Sequence, residues 1–432
     1  MWRRQFLTGL GAGIAGAGFA AANVATARAD QARDAILYVP GYDSGTALSA
    51  GRLIAGDRHS GRAVPRGYKG PVTLLSRVDL ESGETIRAAF PVQGHSIALT
   101  PSRDLGVFSS IRDHRMITFN ARSLDLVAVS EPFAPGTDGG DPFTGGGHCK
   151  FLPESGLLLV TERAPYRTVS NRLENHYGRL TLRDPETLKV VESHSCHGLH
   201  PHDLQLLEGG RLVAVANYGR TRNRDRSSVV PEIVEPSVTV IEVASGKLLE
   251  KIVVPPQGAE TRHLTAAGDD NLFVVQVAMG PPGTEATWKQ KTPVARDRLS
   301  QRGEVYLPSP LLRVARRDGR PMPLAQGEAA AFMRHGLSIV HDPAHDQIIA
   351  TFPGSHSVMV ADAASGAITH VLRTDSIGLR YPCGVALHPD GRRYIVTGSF
   401  ENIYVFDRAT HRLDHDACRY LPLFHHSHIL VA

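Results

Sequence analysis

Only four cysteines and two tryptophans occur in 432 residues. So few thiols cannot staple a chain of this length, and the lack of any Cys-X-X-Cys pair removes the simplest zinc-ribbon and thioredoxin readings. Aromatic residues are scarce at 6%, against 42 glycines and 28 prolines. That balance suits many short strands joined by turns better than a few long helices. Charge of one sign is lacking too: 47 Lys and Arg face 43 Asp and Glu, a net +4, too small to argue for nucleic-acid binding by bulk electrostatics. There is no Gly-X-Ser-X-Gly elbow and no Cys/His/Asn constellation recognisable from sequence, so nucleophilic catalysis has no motif to stand on.

The N-terminus reads as an address. Residues 1–29 begin with a basic segment, continue through an uncharged Gly/Ala-rich stretch and end in Ala27-Arg28-Ala29. That is the pattern of an export signal. The pair Arg3-Arg4 followed by Gln5-Phe6-Leu7 resembles a twin-arginine signal, which implies a periplasmic protein exported already folded. Cleavage after Ala29 leaves residues 30–432 at +1, nearly neutral and with no membrane segment.

A repeat of about fifty residues fills the rest. Its first element is GHSIALTPSRD at 94–104, followed by GHCKFLPESG at 147–156, PHDLQLLEGG at 201–210, RHLTAAGDD at 262–270, HGLSIVHDPAHD at 335–346 and CGVALHPDG at 383–391. Each copy continues into a second β run, then a third ending in a turn-like tail such as VIEVASG or VADAASG, then a fourth. Six such four-stranded units run from 94 to about 420, and HHSHILVA at 425–432 with AILYVPGYD at 35–43 supplies a seventh. The expected fold is all-β: a seven-bladed propeller of antiparallel blades, closed by the C-terminal strand pairing with the N-terminal strands.

In a propeller the first strands line the axis in parallel, so equivalent positions form rings. The starts of these strands carry His95, His148, His202 and His263 in four successive blades, Cys383 in the sixth, and His335 two residues early in the fifth. The closing blade offers His425, His426 and His428 in an uncertain register. Neutral imidazole is the commonest metal ligand, and ligands from separate blades need no spacing motif. The residues expected to hold a transition metal (Cu, Fe or Zn) are therefore His95, His148, His202, His263, His335 and Cys383, with Cys149 as a further soft donor. Packing at the strand entries is the alternative role for the same imidazoles. Glu162 and Asn217, which end second strands on this face, and Asp203 are candidate ligand-binding residues. Within the HPHD run, His200 or His202 with Asp203 has the form of a base with its orienting acid. Cys149 with Cys196 and Cys383 with Cys418 are conceivable disulfides.

The insertions at 44–69, 163–177, 220–235 and 281–308 fall on the histidine face and hold 17 Lys and Arg against 8 Asp and Glu. A basic rim of this kind would attract a small anion or an acidic exported protein. The segments GHSIALTP, GHCKFLPESGLLLVTER, GLHPHDLQLLEGGRLVAVANYG, PSVTVIEVASGKLLE and TRHL resemble a bacterial family of exported propeller-like proteins, the domain of unknown function 1513, over most of residues 90–420. The resemblance implies metal biology, as part of iron uptake or redox, but no activity. Departures from the family pattern occur at Arg163, where an Asn is usual, and after Asn217, where RTRNRDRSSVV replaces a Thr-His-Pro segment. The expected function is thus metal or small-anion binding by a monomer at a His-lined channel mouth. A non-catalytic interaction scaffold and a lactonase-like hydrolase are the alternatives, and the carboxylate-lined metal site usual for the latter is not found.

Overall fold

The computed structural model describes residues 35–42, 71–135, 141–165, 172–220, 233–255, 259–280, 305–325, 327–398, 400–424 and 428–432. Residues 1–29, where an export signal is expected, His425, His426 and most of the basic insertions lie outside the described residues. Among the described residues no helix is long and apolar enough to cross a membrane.

The described residues form seven antiparallel sheets of four strands each, one with a fifth strand added, and in six of them the strands follow sequence order from the axis outward. Six are blades 1 to 6, whose first strands are Gly94–Leu99, Thr144–Phe151, Pro201–Leu207, Glu260–Ala267, Ser338–Asp342 and Pro382–Leu387. The seventh, the closing blade, takes its first strand, Leu430–Val431, from the C-terminus and the other three from residues 36–90. Tyr38 pairs with Leu430 and Leu37 with Val431, while Ile36 and Ala432 exchange backbone hydrogen bonds. The seven-bladed fold and its terminal closure are as the repeat implies. The added strand, Val305–Leu307, pairs with the end of the long second strand of blade 4, Asn271–Gly280.

One turn recurs between the third and fourth strands of every blade. The N–H of Gly83, Leu124, Leu188, Gly246, Gly319, Gly366 or His411 bonds the carbonyl four residues earlier, and each of these residues has a positive φ of 55–76°. In five blades Asp79, Asn120, Asp184, Asp362 or Asp407 caps the turn by accepting backbone N–H bonds from the residues that follow. Asp and Asn do this because the short side chain mimics a backbone turn. The turn-like tails legible in the repeat are these turns.

The core is divided among the blade interfaces. Each of the seven junctions has its own cluster of buried apolar side chains. Second strands such as Leu158–Arg163, Leu212–Asn217 and Gln347–Phe352 are buried at every position. They sit mid-sheet with a neighbouring blade against each face, so they read as continuous rather than alternating hydrophobic runs. Outermost strands such as Leu126–Val129 and Ile368–Arg373 are largely exposed. All four cysteines are free thiols, so neither conceivable disulfide is formed. Cys149 belongs to the junction of blades 1 and 2 and Cys196 to that of blades 2 and 3, so a bridge would have to cross blade 2.

Candidate metal centre

The first strands do not enter their sheets in smooth register. Pairing breaks between Gly94 and Ile97, Gly145 and Cys149, Pro201 and Leu204, and Thr261 and His263. Each break puts extra residues opposite the second strand, which locally bends the chain and re-aims side chains. His95, His148 and His202 lie inside these bulges and His263 at the edge of the fourth. Hydroxyls of second strands fix the bulges to the next blade: Ser109 Oγ donates to the Gly147 carbonyl and Thr161 Oγ1 to that of His202, at 2.5 and 2.8 Å. These two residues give no sequence signal beyond being polar within a buried strand.

The outcome is a tight group of five imidazoles. His95, His148, His202, His263 and His428 each present one ring nitrogen, and these atoms all lie within 4.8 Å of one another. His202 Nε2 is 2.9 Å from His263 Nε2, and His428 Nε2 is 3.0 Å from His95 Nε2. All five residues are buried, His202 to 1% exposure. The fifth member, His428, sits just before the C-terminal strand and so depends on ring closure. Among the described residues no other group of three or more His, Cys, Asp or Glu side chains has this geometry.

Burial is the first cause, and repulsion from neighbouring imidazoles or cations the second, that depresses the pKa of every member. His148 is lowered to about 3 by burial and then by Lys150 and Arg163. The rings are therefore neutral at pH 7, the state in which imidazole binds metal. Outer partners orient two of them. His148 Nδ1 contacts Asp203 Oδ1 at 3.0 Å, which aims its Nε2 inward, where that atom is buried without a hydrogen-bond partner. Asp203 is itself held by the N–H groups of Leu204 and Leu264. His202 Nδ1 contacts the Gly146 carbonyl at 2.5 Å, leaving its Nε2 turned to His263. Carboxylate and carbonyl partners of this kind are how proteins fix the tautomer and direction of metal-ligating histidines. Together the donor set and its supports fit a transition metal.

The other anticipated residues take different places. His335 stands outside the group: its ring stacks on Tyr306 at 4.3 Å and its Nε2 is 3.3 Å from Arg262. The first strand of blade 5 has no register break, so nothing turns that position toward the others. Cys383 does lie in a bulge, between Pro382 and Val385, yet its thiol donates to the Tyr381 carbonyl and packs with Leu337 and Tyr381. Cys149 is buried in the apolar junction of blades 1 and 2, and burial pushes its thiol up to about 12. Glu162 is committed to Arg179, Arg183 and Thr181 at 2.5–2.7 Å. Asn217 donates to Val215, Ser237 and Thr239 within its own blade. Asp203 orients His148 of the preceding blade rather than either histidine of the HPHD run.

The group is also not at an open mouth. On the strand-entry side Gly147 packs so closely that a Cβ there would lie 2.7 Å from His95 Cδ2 and 2.8 Å from His202 Cε1. Tyr218 covers His202 at 4.7 Å, and Arg163 lies over the Tyr218 ring at 4.4 Å.

Comparison with families agrees with the repeat and its motifs. Residues 88–420 match the family described as protein of unknown function (DUF1513). The chain belongs to this family. Among curated proteins no sequence matches this DUF1513 chain. Among solved structures it is similar to hydrazine synthase of Kuenenia stuttgartiensis, with a TM-score of 0.54 and 15% identity over 78% of this chain and 90% of that one. It also matches dihydro-heme d1 dehydrogenase NirN in complex with DHE, with a TM-score of 0.49 and 12% identity over 84% of this chain and 64% of that one. The first likeness, at that identity, speaks to fold alone.

Proposed function

We propose that this DUF1513 propeller is a periplasmic metal protein, exported by the twin-arginine route, which holds one copper, iron or zinc ion among His95, His148, His202, His263 and His428. One observation carries the reading: five neutral imidazoles from five blades converge with His148 Nε2 left unpaired and aimed inward. Such convergence is expensive unless something uses it, because a buried polar atom without a partner costs about 1–3 kcal/mol. Imidazole-only donors suit Cu, Zn and Fe, and the general affinity order puts Cu(II) highest among the divalent ions. With no thiolate or carboxylate among these donors, a role in metal handling or electron transfer fits better than carboxylate-bound hydrolytic chemistry.

The test is metal analysis of purified full-length protein after loading with Cu(II), Zn(II) or Fe(II), alongside the His202→Ala/His263→Ala variant. One tightly held ion per chain, lost in the variant while the strand signal in circular dichroism persists, is the expected result. No stoichiometric metal in the parent protein, with lowered stability in the variant, makes the imidazoles structural and overturns the proposal.

A further inference from the structure

The two sides of the imidazole group differ. On the strand-entry side Gly147, Tyr218 and Arg163 pack against the group. On the other side lies the axial cavity of about 440 Å³, whose lining includes His148, His263, His428 and Asp203 and, further along the first strands, Lys150 and Gln205. Three of the five imidazoles therefore border a space large enough for small molecules, and Lys150 on its wall is exposed.

Charge indicates what that space would take. The five rings contribute none. Arg163, 1% exposed, has no carboxylate partner among the described residues: its Nη2 meets the Gly146 carbonyl and His202 Nδ1, it lies over Tyr218, and its Nε is unpaired. Lys150 lines the same cavity as His148 and Asp203, two residues along the strand from His148. Against these cations stands the carboxylate of Asp203, in direct contact with His148. A divalent ion in the group would leave a net positive charge in a poorly solvated place, which is costly without a counter-charge.

Resting on the metal reading above, we propose that the bound ion keeps a coordination position open to the axial cavity and takes there a small monovalent anion of azide or halide size, with Lys150 as the nearby counter-charge. The cavity is then the route by which an exogenous ligand reaches the metal, and the strand-entry face is a closed floor.

Azide is the probe, titrated into Cu(II)-loaded full-length protein at constant ionic strength. A new azide-to-copper absorption band and a shifted copper EPR spectrum should saturate at one azide per copper. Lys150→Ala should keep its copper and bind azide about threefold more weakly. Stoichiometric copper whose spectra ignore azide, or Lys150→Ala with unchanged azide affinity, overturns the open position or the counter-charge while leaving the metal site standing. Protein that binds no copper at all overturns the metal reading and this inference with it.

Discussion

Blades 1 to 4 and blades 5 and 6 share one architecture yet treat their first strands differently. In blades 1 to 4 the register breaks at the strand entry and a histidine turns to the axis. In blade 5 the ladder runs unbroken from Ser338 opposite Thr351 to Asp342 opposite Gln347, and the entry position is Leu337. Blade 6 has the break without the imidazole: Cys383 turns to a carbonyl. Its backbone is nevertheless tied like the others, with Thr351 Oγ1 of blade 5 donating to the Cys383 carbonyl at 2.6 Å. A bulge that re-aims the chain and a side chain able to use the new direction are thus separate requirements, and only blades 1 to 4 meet both. The closing blade reaches the same centre another way, through a histidine just ahead of its two-residue first strand.

The comparison can be broken most severely at its chemical core. His148→Ala or His202→Ala removes an imidazole from the bulged side and should weaken the proposed metal binding by about 100-fold or more, read by competition with a chelator. His335→Ala in the unbroken blade should leave metal affinity unchanged, and an equal loss there would erase the distinction. Next is the backbone. Gly147 has φ +119° and packs against His95 and His202, so Gly147→Ala should cost about 3 kcal/mol in denaturant unfolding and disorder the site. At Gly384, in the blade 6 bulge, the nearest atoms to an added Cβ are side-chain atoms of Thr397 and Ile429 at 2.9–3.0 Å, so Gly384→Ala should cost about 1 kcal/mol.

Asp203→Asn sharpens the role of the outer support, since it keeps the shape and removes the charge behind His148. Metal affinity should fall about 10-fold with little change in folding. The dependence on pH is the most gradual effect. In metal-free protein the five histidines have folded pKa values below the ordinary 6.5, His148 at about 3. Above pH 6.5 both folded and unfolded states are neutral and their contribution to stability is fully present. As pH falls from 6.5 toward 3 the unfolded chain takes up protons that the folded chain refuses. Stability should then drop, by up to about 1.4 kcal/mol per pH unit for each histidine. Unfolding midpoints measured from pH 7.5 to 4.5 should show this slope, and variants lacking two of the five should show a shallower one.

Sequence made the architecture plain because a propeller repeats itself: the four-strand unit, the capped turns and the split terminal blade are all periodic or compositional signals. Four of the five clustered histidines are legible in the same way, as equivalent positions in successive blades. What escaped is local and non-periodic. A bulge adds residues without a motif, so the sequence does not show that the first strand of blade 5 runs unbroken, and His335, although two residues early, stays among the candidate ligands. His428 could be named only with its neighbours, since two strand residues cannot set a register. Glu162, Asn217 and Asp203 shared a face with the histidines, but their partners come from pairings that sequence does not display. The closed floor under His202 likewise depends on how closely Gly147 approaches, which only coordinates reveal.

X-ray absorption at the metal edge of the loaded protein bears most directly on the central claim. The account requires a shell of four or five nitrogen donors at ~2.0–2.1 Å with the outer-shell scattering typical of imidazole and no sulfur. A sulfur shell near ~2.3 Å would place Cys149 or Cys383 in the site and contradict it, as would a spectrum of fewer than three imidazoles.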